Sequence, residues 1–124
     1  MTTPSDAAAG SRAQPHDPGP LPVLPSVELS DYDAASELLR ALSAPLRLAI
    51  VDLLTDAPRC VHELVEALGV SQPLASQHLK TLRAAGLVAT QRRGREMVYR
   101  LVDEHVSHVA RDTIAHSREQ RDGA

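Results

Sequence analysis

The sequence predicts a mainly helical fold carrying one small β-hairpin. Three observations support this. Apolar residues recur at helical spacing over most of the chain from Leu29 onward. Glycine and proline punctuate those stripes into short segments. One late stretch, "LVATQRRGREMVYRLV", instead alternates about a glycine turn, as two paired strands do. The 124 residues are enough for one small domain. With no Trp or Phe and only two Tyr, its core must come from Leu, Val, Ile and Ala. A small helical fold of that kind gains stability by dimerising.

The elements follow in order. Residues 1–28 hold six of the nine prolines (Pro4, Pro15, Pro18, Pro20, Pro22 and Pro25) and are expected to form a disordered tail. The ordered domain is expected over residues 29–120, with 121–124 a disordered end. Ser30 and Asp33 suggest a capping box for a first helix. Its stripe is Ala34, Ala35, Leu38, Leu39 and Leu42. Pro45 can open a second helix, which runs to about Leu54. Asp56-Ala57-Pro58 breaks it. Val61, Leu64, Val65 and Leu68 form the inner face of a short third helix that stops at Gly69. Ser71 caps a fourth helix, whose first turn accepts Pro73, and Gly86 ends it. Helix, glycine turn, helix is the helix-turn-helix signature, and a basic hairpin after it, turning at Arg93-Gly94, is a wing. A last helix begins near Asp103.

Charge is unevenly placed. The formal net charge is −3, yet between Lys80 and Arg100 the cations are Lys80, Arg83, Arg92, Arg93, Arg95 and Arg100 against one acid, Glu96. Acids gather elsewhere, at Asp31, Asp33 and Glu37 and at Asp103, Glu104, Asp112 and Glu119. At 100° per residue, Ala75, His78, Leu79 and Leu82 share the inner side of the fourth helix. Pro73, Ser76, Gln77 and Lys80 share the outer, acid-free side, which suits a DNA major groove. Gln77 can pair with a base edge, Ser76 with base or phosphate, and Lys80 with phosphate. Ser71 and Gln72 stand at a helix N-terminus, where phosphate is attracted. Arg92, Arg93 and Arg95 on the wing can hold backbone or enter the minor groove. His78 points inward. The expected partner is double-stranded DNA.

The last helix carries Val106, Val109, Ala110 and Thr113 as a narrow apolar stripe extended by Val102, with His105, Asp112, His116 and Glu119 beside it. His105 and His116 are almost in phase but ~16 Å apart along the axis. Zinc binds its ligands at ~2.0–2.2 Å, so donors must lie within about 4 Å of one another. One straight helix cannot supply both. Two antiparallel copies about a two-fold axis near residues 110 and 111 can. Asp103 and His105 of one chain would then meet His116 and Glu119 of the other, twice per dimer. Two imidazoles and two carboxylates suit tetrahedral zinc, with cobalt or nickel as substitutes. The competing reading is a dimerising helix with incidental histidines. His108 lies further round and can serve as a spare ligand.

These residues resemble the ArsR/SmtB family of metal-sensing repressors, small dimeric winged-helix proteins, over about Leu38 to Glu119. The likeness rests on "LLRALSAPLRLAIVDLL", "CVHELVEALGVSQPLASQHLKTLRAAGLV", "RRGREMVYRL" and "DEHVSHVARDTIAHSRE". Its zinc-sensing members carry Asp-x-His, ten residues, then His-x-x-Glu, which Asp103, His105, His116 and Glu119 match position by position. The resemblance implies dimerisation through the first and last helices, repression by the metal-free protein, and release of DNA by zinc to derepress efflux or detoxification genes. Other members sense through thiolates on the third helix. Cys60 and Glu63 occupy such positions, and His16 and Asp17 can complete a site from the tail. However, no second cysteine joins them, which weighs against an arsenic, cadmium or lead sensor.

Other classes find less support. A single cysteine excludes an intramolecular disulfide and suits a reducing interior. No apolar run approaches a membrane span, and the first residues lack a secretory pattern, so a cytoplasmic location without membrane partner is expected. No phosphate-binding glycine loop or activated nucleophile appears, and a zinc with four protein ligands has no open catalytic position. Neither enzyme activity nor an organic cofactor is expected. Thiol-based control through Cys60 and a DNA-binding dimer unresponsive to metal remain alternatives.

Overall fold

Packing of a few aliphatic side chains sets the architecture. The computed structural model describes residues 19–123, and His16 and Asp17 lie outside them. Residues 19–28 carry no helix or strand and are exposed. Helix α1 spans Leu29–Leu42, α2 Pro45–Asp56, α3 Val61–Leu68 and α4 Gln72–Ala84. Strands β2 Val88–Arg93 and β3 Glu96–Leu101 form the hairpin, and α5 Glu104–Asp122 closes the chain. A further strand, β1 (Arg59–Cys60), pairs antiparallel with β3 (Arg59 with Tyr99, Cys60 with Val98), giving the sheet order β1-β3-β2. Two residues are too few to show a period, so this strand was not legible in the sequence.

Ile50, Val51, Leu64, Leu79, Leu82 and Val98 are the largest side chains buried almost completely. They tie α2, α3, α4 and the sheet into one aliphatic core, as the absence of large aromatics required. Local signals set the helix ends. Pro45 opens α2, and Ala57 is extended before Pro58, as a residue preceding proline prefers. The helix therefore runs to Asp56, two residues beyond the expected end. Gly69 ends α3 at φ +67°, a left-handed conformation that glycine adopts without steric cost. Ser71 Oγ accepts the Leu74 N–H at 3.3 Å and caps α4.

Several local expectations need correction. The helix α1 begins at Leu29 with Glu28 as its cap and no side-chain bond to that cap. Ser30 therefore lies inside the first turn, and the Ser30–Asp33 box does not form. A box forms instead at α3. Glu63 reaches back to accept the Cys60 N–H at 2.9 Å, with cysteine where serine is usual. That backbone hydrogen bond is the main cause holding the Glu63 carboxyl below its ordinary value. The hairpin turns at Gly94-Arg95, since Arg93 pairs with Glu96, and Gly94 takes φ +62°. Finally, α5 continues through Asp122, so the expected disordered end at 121–124 is helical for its first two residues.

The first and last helices are only partly covered. Helix α1 is buried only at its end, at Ala41 and the stripe residue Leu42, while Leu38 and Leu39 remain 43% and 56% exposed. The α5 stripe divides as well. Val106 and Ala110 enter the core, whereas Val109 and Val102 stay about two-fifths exposed. Thr113 faces solvent with its hydroxyl bonded to the Val109 carbonyl at 2.7 Å. Ala35, Leu38, Leu39, Leu42, Val102 and Val109 thus line an apolar groove of about 500 Å³. On its other side α5 is fastened to α2. Arg111 donates to Asp52 Oδ1 at 2.8 Å, to the Asp52 carbonyl at 3.1 Å and to Asp56 Oδ1 at 3.1 Å.

Leu79→Ala removes a fully buried side chain from the centre of this core, and a destabilisation of roughly 2–5 kcal/mol is expected. Chemical denaturation should show a lower midpoint with an unchanged slope. The Glu63 cap gives a pH signature. Its folded-state carboxyl is more acidic than the unfolded one, so its stabilisation is present above the carboxylate range and vanishes as pH falls through the folded value. Wild type should exceed Glu63→Gln in stability at neutral pH, and the gap should close on acidification. A pH-independent gap would show that the carboxylate charge contributes nothing.

Candidate nucleic-acid interface and metal centre

Burial of Ala75, Leu79 and Leu82 orients α4 and leaves its opposite side to solvent. Ser71, Gln72, Pro73, Gln77 and Lys80 are exposed there, and Ser76 is half-buried. The helix carries no acidic side chain. Its first turn has few free amides. Pro73 has none, Ser71 Oγ takes that of Leu74, and the Ser71 carbonyl takes that of Ala75 at 3.0 Å. The Gln72 backbone amide and the Ser71 O–H are among the donors this end offers an anion.

His78 is half-buried on the inner side, as its phase required, and its Nδ1 lies 3.1 Å from a guanidinium nitrogen of Arg47 on α2. A guanidinium can only donate, so Nδ1 accepts. Sequence reasoning did not single out Arg47 or its neighbour Arg40. A single cation on α2 carries no periodic signal, and its role emerges only when α2 meets α4. On the hairpin, Arg92 and Arg93 end β2 and Arg95 sits in the turn, all exposed. They form a basic tip beyond the buried residues Val88 on β2 and Val98 on β3.

The metal candidates sit on α5. Asp103 is its N-cap, in extended backbone, and Oδ1 accepts the Val106 N–H at 3.2 Å. The same oxygen lies 3.7 Å from His105 Nδ1. The cap thus brings a carboxylate beside an imidazole despite a two-residue spacing that a regular helix would keep apart. It also leaves the second Asp103 oxygen for another partner. His105 is 93% exposed. Both residues stand on the rim of the groove between α1 and α5. His116 and Glu119 are exposed one turn apart further along the same helix. Among the described residues, no three His, Cys, Asp or Glu side chains of one chain converge on a metal-sized site. The donor set fits a zinc ion by its chemistry, an open imidazole–carboxylate pair with a second such pair on the same helix. Assembling all four requires two chains.

The alternative candidates are arranged differently. Cys60 is buried at the junction of β1 and α3, and Glu63 is engaged with its backbone. His108 is exposed on α5. No helix among the described residues is long and apolar enough to cross a membrane.

Comparison with known proteins agrees with this architecture. Residues 44–90 match the family model described as bacterial regulatory protein, arsR family. The chain is 61% identical over 87 residues to the HTH-type transcriptional repressor SmtB of Mycobacterium tuberculosis, an alignment covering 70% of this chain and 64% of that protein. It is 41% identical over 95 residues to the transcriptional regulator NmtR of the same organism, covering 75% of this chain and 79% of NmtR. Among solved structures, a homodimeric winged helix-turn-helix domain from Mycobacterium bovis superposes with a TM-score of 0.68 at 28% identity, covering 77% of this chain and 88% of the other. The transcriptional repressor BigR from Xylella fastidiosa gives 0.62 at 32% identity, covering 67% and 86%. Sequence, element order and the exposed α4 face thus lead to one assignment: the chain belongs to the ArsR family of bacterial regulatory proteins, built as a winged helix-turn-helix.

Proposed function

We propose that this chain is a metal-responsive transcriptional repressor whose metal-free dimer binds a palindromic DNA operator and releases it when zinc binds. The observation that carries the reading is the Asp103–His105 pair, placed by the α5 cap on the rim of an apolar groove that the chain leaves open. A second copy covering that groove through α1 and α5 would bury Leu38, Leu39 and Val109. It would also bring His116 and Glu119 of one chain toward Asp103 and His105 of the other. The similar SmtB of M. tuberculosis is a transcriptional repressor, and the M. bovis domain is homodimeric.

In this reading Gln77 and Ser76 read base edges, while Ser71, Gln72, Pro73 and Lys80 seat α4 in the major groove. Arg92, Arg93 and Arg95 hold the flanking backbone. Bound zinc, or cobalt or nickel in its place, supplies a cross-link between the subunits. Arg111 transmits the resulting constraint on α5 to α2 through Asp52 and Asp56. Two reading helices must sit about 34 Å apart to enter successive grooves, so a modest change in subunit geometry weakens both. Metal and DNA then oppose each other by linkage. Efflux or detoxification genes suit such a switch. Control through Cys60 has less support, because its thiol is buried and the neighbouring carboxylate already serves a cap.

His116→Ala should keep operator affinity and abolish zinc-induced release. Fluorescence anisotropy on a palindromic fragment, with zinc added and then chelated, measures both. Normal release by the variant would remove the site from α5. Gln77→Ala should cost about 1–3 kcal/mol of discrimination between operator and altered operator. Equal weakening on every sequence would reassign Gln77 to the backbone.

A further inference from the structure

Beside the reading helix lies a cleft of about 760 Å³ between α1, α2 and α4, lined among others by Glu37, Arg40, Arg47, Gln77, Lys80 and Thr81. Gln77 and Lys80 belong also to the outward face of α4, so the cleft opens directly onto that face. Its charged lining residues are three cations and one carboxylate, in a chain whose net charge is −3.

Arg47 is held at two points. Its Nε donates to the Ala41 carbonyl at the α1–α2 corner, and its Nη1 lies 3.1 Å from His78 Nδ1. A guanidinium tethered in this way has already given up its rotamer freedom on folding and has further donors to offer. Arg40 is exposed and ion-paired with Glu37, one turn away. Thr81 is less available, since its hydroxyl donates to the Gln77 carbonyl.

A helix about 10–12 Å across nearly fills a major groove about 12 Å wide. Whatever packs directly beside the inserted helix therefore meets the phosphates that border the groove. We infer that the cleft formed by Arg40, Arg47 and Lys80 is a second DNA-binding element, a seat for the sugar-phosphate backbone alongside α4. It makes α1 and α2 part of the DNA-binding surface. This rests on the DNA-binding reading above and extends it to residues outside the helix-turn-helix and wing. The interaction is sequence-independent, because a phosphate carries no base identity. Glu37 opposes it by repelling phosphate and by occupying Arg40.

The test is the salt dependence of binding to the operator and to an unrelated duplex, with the full chain. Removing one cation from a phosphate makes the slope of log K against log salt shallower by about 0.9, and a two-fold dimer doubles this to about 1.8 per substitution. Arg40→Gln and Arg47→Gln should each show this on both duplexes, and Glu37→Gln should tighten binding to both. Arg40→Gln keeps the test decisive if Arg47→Gln unfolds, because the Arg40 side chain is exposed and, among the described residues, is ion-paired with the similarly exposed Glu37. A brace that only supports the fold would lower affinity while leaving the slope unchanged, and wild-type slopes in both arginine variants overturn the inference. So does a weakening confined to the operator sequence. If wild type itself shows no salt-dependent binding to any duplex, the DNA-binding reading falls and this second element with it.

Discussion

The inward face of α4 must be apolar enough to hold the helix against α2 and α3, and its outward face must stay clear of that packing. Ala75, Leu79 and Leu82 meet the first condition by joining Ile50 and Leu64 in a core without large aromatic side chains. Because these side chains recur at helical spacing, burying them turns Gln77 and Lys80 outward without further instruction. The hairpin is anchored in the same core through Val88, with Tyr99 and Leu101 packed against it, so its basic tip projects from a buried base. The outward face of α4 and the basic hairpin tip both derive their direction from this packing.

The groove between α1 and α5 shows what that core leaves undone. The outer stripe of α1 and the outer edge of α5 find no partner within the described chain, and they face one another across a groove. Arg111 holds the far side of α5 to α2, with Asp52 as the main cause raising its already high pKa. The last helix is thus secured on one edge and open on the other. In the proposed reading, this combination lets α5 pack against a second copy while staying connected to α2.

The metal candidates and the open groove share one cause. A helix that begins at the Asp103 cap sets that carboxylate beside His105 at the groove rim, and the same helix carries His116 and Glu119 away along its axis. Geometry within one chain separates the two halves and places one of them at the rim of the open groove.

Periodicity and punctuation in the sequence were enough to determine the order of the five helices, the inner and outer faces of α4, the basic hairpin and the distance between His105 and His116. These follow from local rules of helical phase, glycine and proline geometry, and rise per residue. Tertiary structure alone decided the rest. The strand at Arg59–Cys60 exists only because β3 lies beside it. The half-buried pairing of Arg47 with His78, and the clamp of Arg111 on Asp52, join residues 31 and 59 positions apart. No local pattern encodes such pairs, because they depend on how finished helices pack.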